Sequence, residues 1–285
     1  MATLAADWLT ARLLRRSTTD LGVFLPAGFP SAYADAEVLR TFASRGARLF
    51  EIGVPYSDPF LDGPVIAEAY KRALSRGTTM VDVLETVRQV ATTTWAPVVV
   101  VSYWGPVLRY GGPERFAQDL ATAGAAGAMI VDLPLEEAGP WLAASHQSGL
   151  TTPQLVSRRA SDERLARVCS AASGWVYAPA AEAALTGYTG RLDVEALERF
   201  TQRLRAAGSV PVVTGIGVSS PGMARSLRDL VDGVVIGTPA IQPLLEMSPS
   251  DGLRAAADRV ALFAAALQRP ADPANLFRPD YIGMM

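Results

Sequence analysis

Short apolar runs and helical patterns alternate eight times along this chain, and that alternation restricts its fold more than any other feature. The runs lie at 21–26, 49–54, 97–102, 127–131, 152–156, 174–178, 210–214 and 233–236. Stretches rich in Ala, Leu and Arg follow them at 33–44, 65–76, 113–123, 136–148, 162–171, 194–207, 222–230 and 251–267. Residues 98–101 and 234–236 are apolar without a break, as strands buried on both faces of a parallel sheet should be. Eight strand–helix units with short connections predict an α/β fold, a single-domain (β/α)8 TIM barrel over 1–268. An open doubly wound sheet is the alternative. It would place a dinucleotide loop after the first strand, where this chain reads Pro26-Ala27-Gly28-Phe29-Pro30 instead of GxGxxG. An extra N-terminal helix over 7–16 is expected to cap the bottom of the barrel, and 79–91 reads as a second helix after 65–76. The Pro-rich tail, 269–285, is expected to be loosely held.

Composition narrows the function. The 285 residues carry a net charge of −2, which leaves no electrostatic footprint for nucleic acid. The apolar runs are far shorter than the ~20 residues of a membrane-spanning helix. Residues 1–16 mix acidic and basic side chains, so no secretory signal is read there. Cys169 is the single cysteine, which excludes an intrachain disulfide and fits a cytoplasmic protein. His146 is the single histidine. Lying in an Ala-rich helical stretch, it reads as a surface or packing residue. Neither it nor Cys169 has a partner at zinc-site spacing, so no metal site is expected. The chemistry is left to carboxylates.

Barrel enzymes place their sites at the C-terminal strand ends, which selects particular residues here. Glu51 sits between Phe50 and Ile52 in the second strand, on the opposite face from both. A carboxylate in an apolar strand is costly unless paired or protonated. Two readings stay open: a lumen acid with a raised pKa, suited to general acid–base work, or a salt-bridged structural residue. The rigid loop that follows, Ser57-Asp58-Pro59-Phe60-Leu61-Asp62-Gly63-Pro64, adds two carboxylates that could equally cap turns. Two glycine motifs, Gly215-Ile216-Gly217 after strand seven and Gly237-Thr238-Pro239 after strand eight, stand where barrels bind phosphate through backbone N–H groups and a short helix.

The segment Glu51-Ile52-Gly53-Val54-Pro55-Tyr56-Ser57-Asp58-Pro59 with Asp62-Gly63-Pro64 resembles the signature of the tryptophan synthase α-subunit family. Further similarities are Pro26-Ala27-Gly28-Phe29-Pro30, Ser102-Tyr103-Trp104, Asp132-Leu133-Pro134, Gly174-Trp175-Val176-Tyr177 and Leu185-Thr186-Gly187. The resemblance implies retro-aldol cleavage of indole-3-glycerol phosphate to indole and glyceraldehyde 3-phosphate, with no cofactor. It implies that Glu51 is the acid–base residue and that Asp62 accepts the indole N–H. It assigns Tyr177 to the substrate pocket, Thr186 to a mobile loop that meets the aspartate, and Gly187, Gly217, Gly237 and Thr238 to the phosphate. A pyridoxal-phosphate β subunit is the implied partner. The chain also departs from the pattern. Gly105 stands where relatives carry an Asn toward the β-subunit contact. The strand-six loop, Ala178-Pro179-Ala180-Ala181-Glu182-Ala183-Ala184-Leu185-Thr186-Gly187, is one residue longer and lacks a serine and a glycine. Tyr188 replaces a small residue. These departures keep two other readings in view, a stand-alone lyase of a specialised pathway and a non-catalytic paralogue that regulates a partner.

Overall fold

The computed structural model describes residues 2–13, 19–31, 34–181, 186–188 and 190–269. In chain order the elements are α1 (Ala2–Leu13), β1 (Asp20–Pro26), α2 (Asp35–Ser44), β2 (Leu49–Gly53), α3 (Pro64–Ser75), α4 (Met80–Thr94), β3 (Val98–Ser102), α5 (Trp104–Tyr110) and α6 (Pro113–Ala123). They continue with β4 (Gly127–Ile130), α7 (Gly139–Gln147), β5 (Gln154–Leu155), α8 (Asp162–Ala171), β6 (Val176–Tyr177), α9 (Val194–Ala207), β7 (Val212–Thr214), α10 (Pro221–Leu227), β8 (Gly233–Ile236), α11 (Thr238–Glu246) and α12 (Pro249–Leu267).

The strands pair in parallel in the order β4-β3-β2-β1-β8-β7-β6-β5. A parallel bridge between Gly127 and Thr151 joins the two ends of that sheet. Around the bridge Thr151 N–H donates to the Ala126 carbonyl at 2.9 Å, and Ala128 N–H donates to the Thr151 carbonyl at 3.1 Å. The barrel is closed, and the expected (β/α)8 architecture holds. Gly127 is required at the seam, because a Cβ there would stand 2.1 Å from the Thr151 hydroxyl.

The two short strands, β5 and β6, were expected to be longer. Pro153 and Pro211 lack an N–H and cannot donate to the ladder, so the regular pairing starts after them. Hydrogen bonding continues past the assigned ends through Gln154 N–H to the Trp175 carbonyl and Val156 N–H to the Tyr177 carbonyl, each 3.2 Å. Helix α7 begins at Gly139 rather than 136, with Pro140 in its first turn, where a fixed φ and a missing N–H cost nothing. Helix α5 was not anticipated. Gly105 and Pro106 give its first turn the look of a loop, but Pro is tolerated there, and Asp132 at the end of β4 accepts the Trp104 N–H at 2.7 Å.

Helix α1 begins earlier than the expected 7–16, and 14–18 lie outside the described residues. Leu9 and Leu13 are buried, 0% and 2% exposed. They pack beneath the N-terminal strand ends: Leu9 Cδ2 lies 3.5 Å from where a Cβ on Gly174 would be, and Leu13 Cδ2 lies 3.4 Å from that of Gly233. The helix closes the bottom of the barrel, as expected. His146 lies exposed on α7. Among the described residues no helix is long and apolar enough to cross a membrane. The tail from 270 onward lies outside the described residues.

Leu9→Ala should remove a plug from a close-packed site and lower the unfolding free energy by about 2–4 kcal/mol. Urea denaturation measures it, and an unchanged midpoint would show that α1 does not close the barrel.

Candidate active site

Each strand directs side chains alternately into the lumen and outward. The lumen set near the C-terminal ends is Phe24 from β1, Glu51 from β2, Val101 from β3, Met129 from β4, Leu155 from β5, Tyr177 from β6 and Val235 from β8, with Gly215 just past β7. These residues floor a cleft of about 810 Å³, counting its open mouth. The eight residues that the resemblance assigns to the site all line it: Glu51, Asp62, Tyr177, Thr186, Gly187, Gly217, Gly237 and Thr238. Asp58 does not; it is exposed in the β2–α3 loop.

Glu51 is 4% exposed and has no ion-pair partner among the described residues. Its Oε1 also lacks a hydrogen-bond partner among them. No described residue supplies the partner that the salt-bridged reading of Glu51 needs. Burial alone raises its pKa from 4.5 to about 8, because a charge in a dry lumen loses its hydration.

Asp62 stands at the rim, half-buried and richly connected. Tyr103 donates to its Oδ2 at 2.9 Å, while the Leu61 N–H donates to the Tyr103 oxygen at 3.1 Å. The Thr186 hydroxyl donates to Oδ1 at 3.4 Å and accepts the Gly63 N–H at 2.7 Å. Burial pushes the Asp62 pKa up to about 6, and the two hydroxyl donors pull against that rise. Gly63 is what lets the Thr186 loop come so near, since a Cβ there would sit 1.8 Å from the Thr186 carbonyl oxygen.

The same cleft carries a rim of backbone. Gly187 and Gly217 adopt φ of 86° and 98°, a region open mainly to glycine. Gly237 caps α11, and Thr238 begins it. The first N–H groups of a helix have no intrahelical acceptor, and the helix dipole favours an anion there. Gly217 is packed against the strand-six loop, a Cβ there lying 2.6 Å from that of Ala181. Ala181 N–H donates to the Ile216 carbonyl at 3.0 Å, so the start of the Ala-rich loop is anchored. Residues 182–185 lie outside the described ones. Tyr188 lines the rim, its hydroxyl donating to the Arg191 carbonyl at 3.3 Å. Gly215 leaves Tyr177 space, because a Cβ at 215 would be 2.2 Å from its oxygen.

Sequence reasoning missed Tyr70 and the role of Tyr103. Tyr103 was marked only as part of a matching motif, and nothing in a strand-end tyrosine signals that it will reach a carboxylate 41 residues earlier. Among the described residues no cluster of His, Cys, Asp and Glu is arranged to hold a metal ion.

The family model described as "Tryptophan synthase alpha chain" matches residues 10–270. A tryptophan synthase alpha chain of Thermobifida fusca is 41% identical over 249 residues, covering 86% of this chain and 89% of the relative. One of Streptomyces coelicolor is 40% identical, covering 84% and 88%. Among solved structures, a chain of Mycobacterium tuberculosis tryptophan synthase superposes with a TM-score of 0.84 at 33% identity, over 93% of this chain and 98% of that one. Tryptophan synthase subunit alpha of Legionella pneumophila gives 0.82 at 30% identity, over 92% and 98%.

The raised pKa of Glu51 makes stability depend on pH. The folded state holds the Glu51 proton more tightly than the unfolded chain, so this stabilisation is complete below about 4.5 and is lost as pH rises to about 8. Asp62 acts with the same sign between about 3.8 and about 6. Glu51→Gln should flatten the decline between pH 6 and 8, where only Glu51 of this pair still titrates. Urea midpoints of both proteins across that range test this, and parallel curves would contradict the burial of a neutral acid.

Proposed function

The chain belongs to the tryptophan synthase alpha chain family, a carbon–carbon lyase family, and from that premise we propose that Glu51 and Asp62 carry the cleavage of indole-3-glycerol phosphate to indole and glyceraldehyde 3-phosphate. The observation that carries this reading is geometric: both carboxyls line one cleft, Glu51 buried with no ion-pair partner among the described residues and Asp62 accepting from two hydroxyls at the rim. Burial raises Glu51 to about 8 and Asp62 only to about 6, so near neutrality the first favours its protonated form and the second its ionised form. Two carboxyls with environments that push them apart mark an acid and a charge stabiliser.

Glu51 delivers its proton to indole C3. The resulting cation spreads onto the ring nitrogen, where the Asp62 carboxylate accepts the N–H and opposes the charge. Glu51, now ionised in a dry lumen, takes the proton of the hydroxyl on the adjoining glycerol carbon. That oxygen becomes the aldehyde carbonyl, and the electron pair of the broken C–C bond returns to the ring. Protons balance, and Glu51 ends as it began. Gly187, Gly217, Gly237 and Thr238 hold the phosphate at the rim. Tyr177 walls the pocket, and Thr186 fastens its loop to Asp62 and Gly63, excluding water. No cofactor enters this step.

The partner implied is a pyridoxal-phosphate β subunit that takes indole onward. Its docking face is the mouth beside the cleft, where Phe60 and Leu108 are 57% and 54% exposed. The Phe60 ring lies 5.3 Å from that of Tyr103, which holds Asp62. Tyr56 covers Gly105 on the same face, its oxygen 3.2 Å from where a Cβ would stand.

Indole release from indole-3-glycerol phosphate by the isolated chain, repeated with a β subunit, tests the function. Strong stimulation supports the subunit reading, high unaided turnover supports a stand-alone lyase, and no release under either condition defeats both. Glu51→Gln should cost at least about 10³-fold in kcat and Asp62→Asn at least about 10²-fold, with folding intact. A Glu51→Gln protein of near-normal rate would remove that residue from the mechanism. The kcat/KM profile should be a bell with limbs near pH 6 and pH 8, since activity needs Asp62 ionised and Glu51 protonated.

A further inference from the structure

The cleft wall holds a polar side chain that the acid–base pair leaves unused. Tyr70, on α3, is 1% exposed and lines the cleft beside Glu51 and Asp62. Its ring is fixed against Phe24 in an edge contact, with centroids 6.3 Å apart and planes at 86°. Strand β2 determines where its hydroxyl stands. Alternate residues of a strand face the same side and lie about 6.6 Å apart, so residue 53 projects into the lumen like Glu51, one step nearer the mouth. Residue 53 is glycine. A Cβ there would stand 2.7 Å from the Tyr70 oxygen and 2.6 Å from Phe24 Cζ. The Tyr70 hydroxyl therefore fills the space of the lumen side chain that β2 lacks, above Glu51 on its mouth side.

Burial, together with the neighbouring Asp62, Tyr103 and Glu51, raises the Tyr70 phenol well above its ordinary range. It keeps its proton throughout the neutral region and acts only as a neutral donor and acceptor. The Glu51 oxygen without a partner lies deeper on the same face. A substrate oxygen placed between the two would meet a donor from above and the acid–base group from below.

We propose that Tyr70 is a substrate-positioning residue, its hydroxyl donating to the oxygen of the glycerol carbon bonded to indole C3. Occupying one lone pair of that oxygen turns its O–H toward Glu51, the group that removes the proton. Gly53 is part of the device, because any side chain there would displace the hydroxyl. This assignment rests on the lyase reading above.

Tyr70→Phe removes only the oxygen and keeps the ring and its contact with Phe24. Its kcat on indole-3-glycerol phosphate should fall at least about tenfold, with the thermal midpoint unchanged and both limbs of the pH profile in place. An indole-3-alkyl phosphate without the glycerol hydroxyls should bind the wild type and the variant equally. A variant kcat within twofold of the wild type would overturn the assignment, as would a loss of analogue affinity equal to the loss in turnover. A fall in kcat matched by a fall in thermal midpoint would reduce Tyr70 to a packing residue. If the wild type with a β subunit releases no indole, the lyase reading itself falls and this assignment falls with it. If the wild type is active and the variant matches it, only the role of Tyr70 is lost.

Discussion

A carboxyl group enclosed by a closed barrel, with no cation among the described residues to balance it, dictates how the rest of this molecule is arranged. Glu51 occupies that position. Water would hydrate it and return it to an ordinary acid, so the lumen around it is built from Phe24, Val101, Met129, Leu155 and Val235. A lysine or arginine nearby would do the same by pairing, and no ion pair reaches Glu51 among the described residues. The sheet closes at Gly127 and Thr151, so the carboxyl faces outside only through the mouth of the cleft. The energetic penalty of holding it there appears as a proton retained near neutrality.

Asp62 needs the opposite treatment and receives it from different elements. It lies in a loop and not in a strand, is half-buried, and accepts from Tyr103 and Thr186. Those two donors come from distant parts of the chain, so the charge at Asp62 reports whether the loop after β6 is seated. Gly63 makes that seating steric as well as electrostatic: its missing Cβ is the space into which the Thr186 carbonyl fits. A loop contact and a charged group are thus joined through one hydroxyl.

Much of this was readable from the residues. The eight-fold alternation fixed the barrel, and β8, α6, α8 and α9 fall at the expected residues. Glu51 stood out because a lone acid in an apolar strand has few explanations. Resemblance supplied the difference in role between it and Asp62, which spacing alone left open. What could not be read were contacts made by closure. Tyr103 and Tyr70 are ordinary core-type residues in sequence, and only the curvature of the sheet brings them beside Asp62 and over Gly53. Helix α5 was hidden by a Gly-Pro pair that signals a loop unless Asp132 is known to accept its first N–H. Strands β5 and β6 were overestimated because an apolar run does not show where proline interrupts the ladder.

Helix α1 gives the barrel a floor, so among the described residues the cleft opens at the far end, between the Asp62 loop and the glycine-lined rim. Anything entering there meets the rim before it reaches Glu51. Traffic is then ordered by depth, since what lies beneath must wait for what lies above. A neighbouring subunit resting over that doorway would control arrival and departure without touching the carboxyl below.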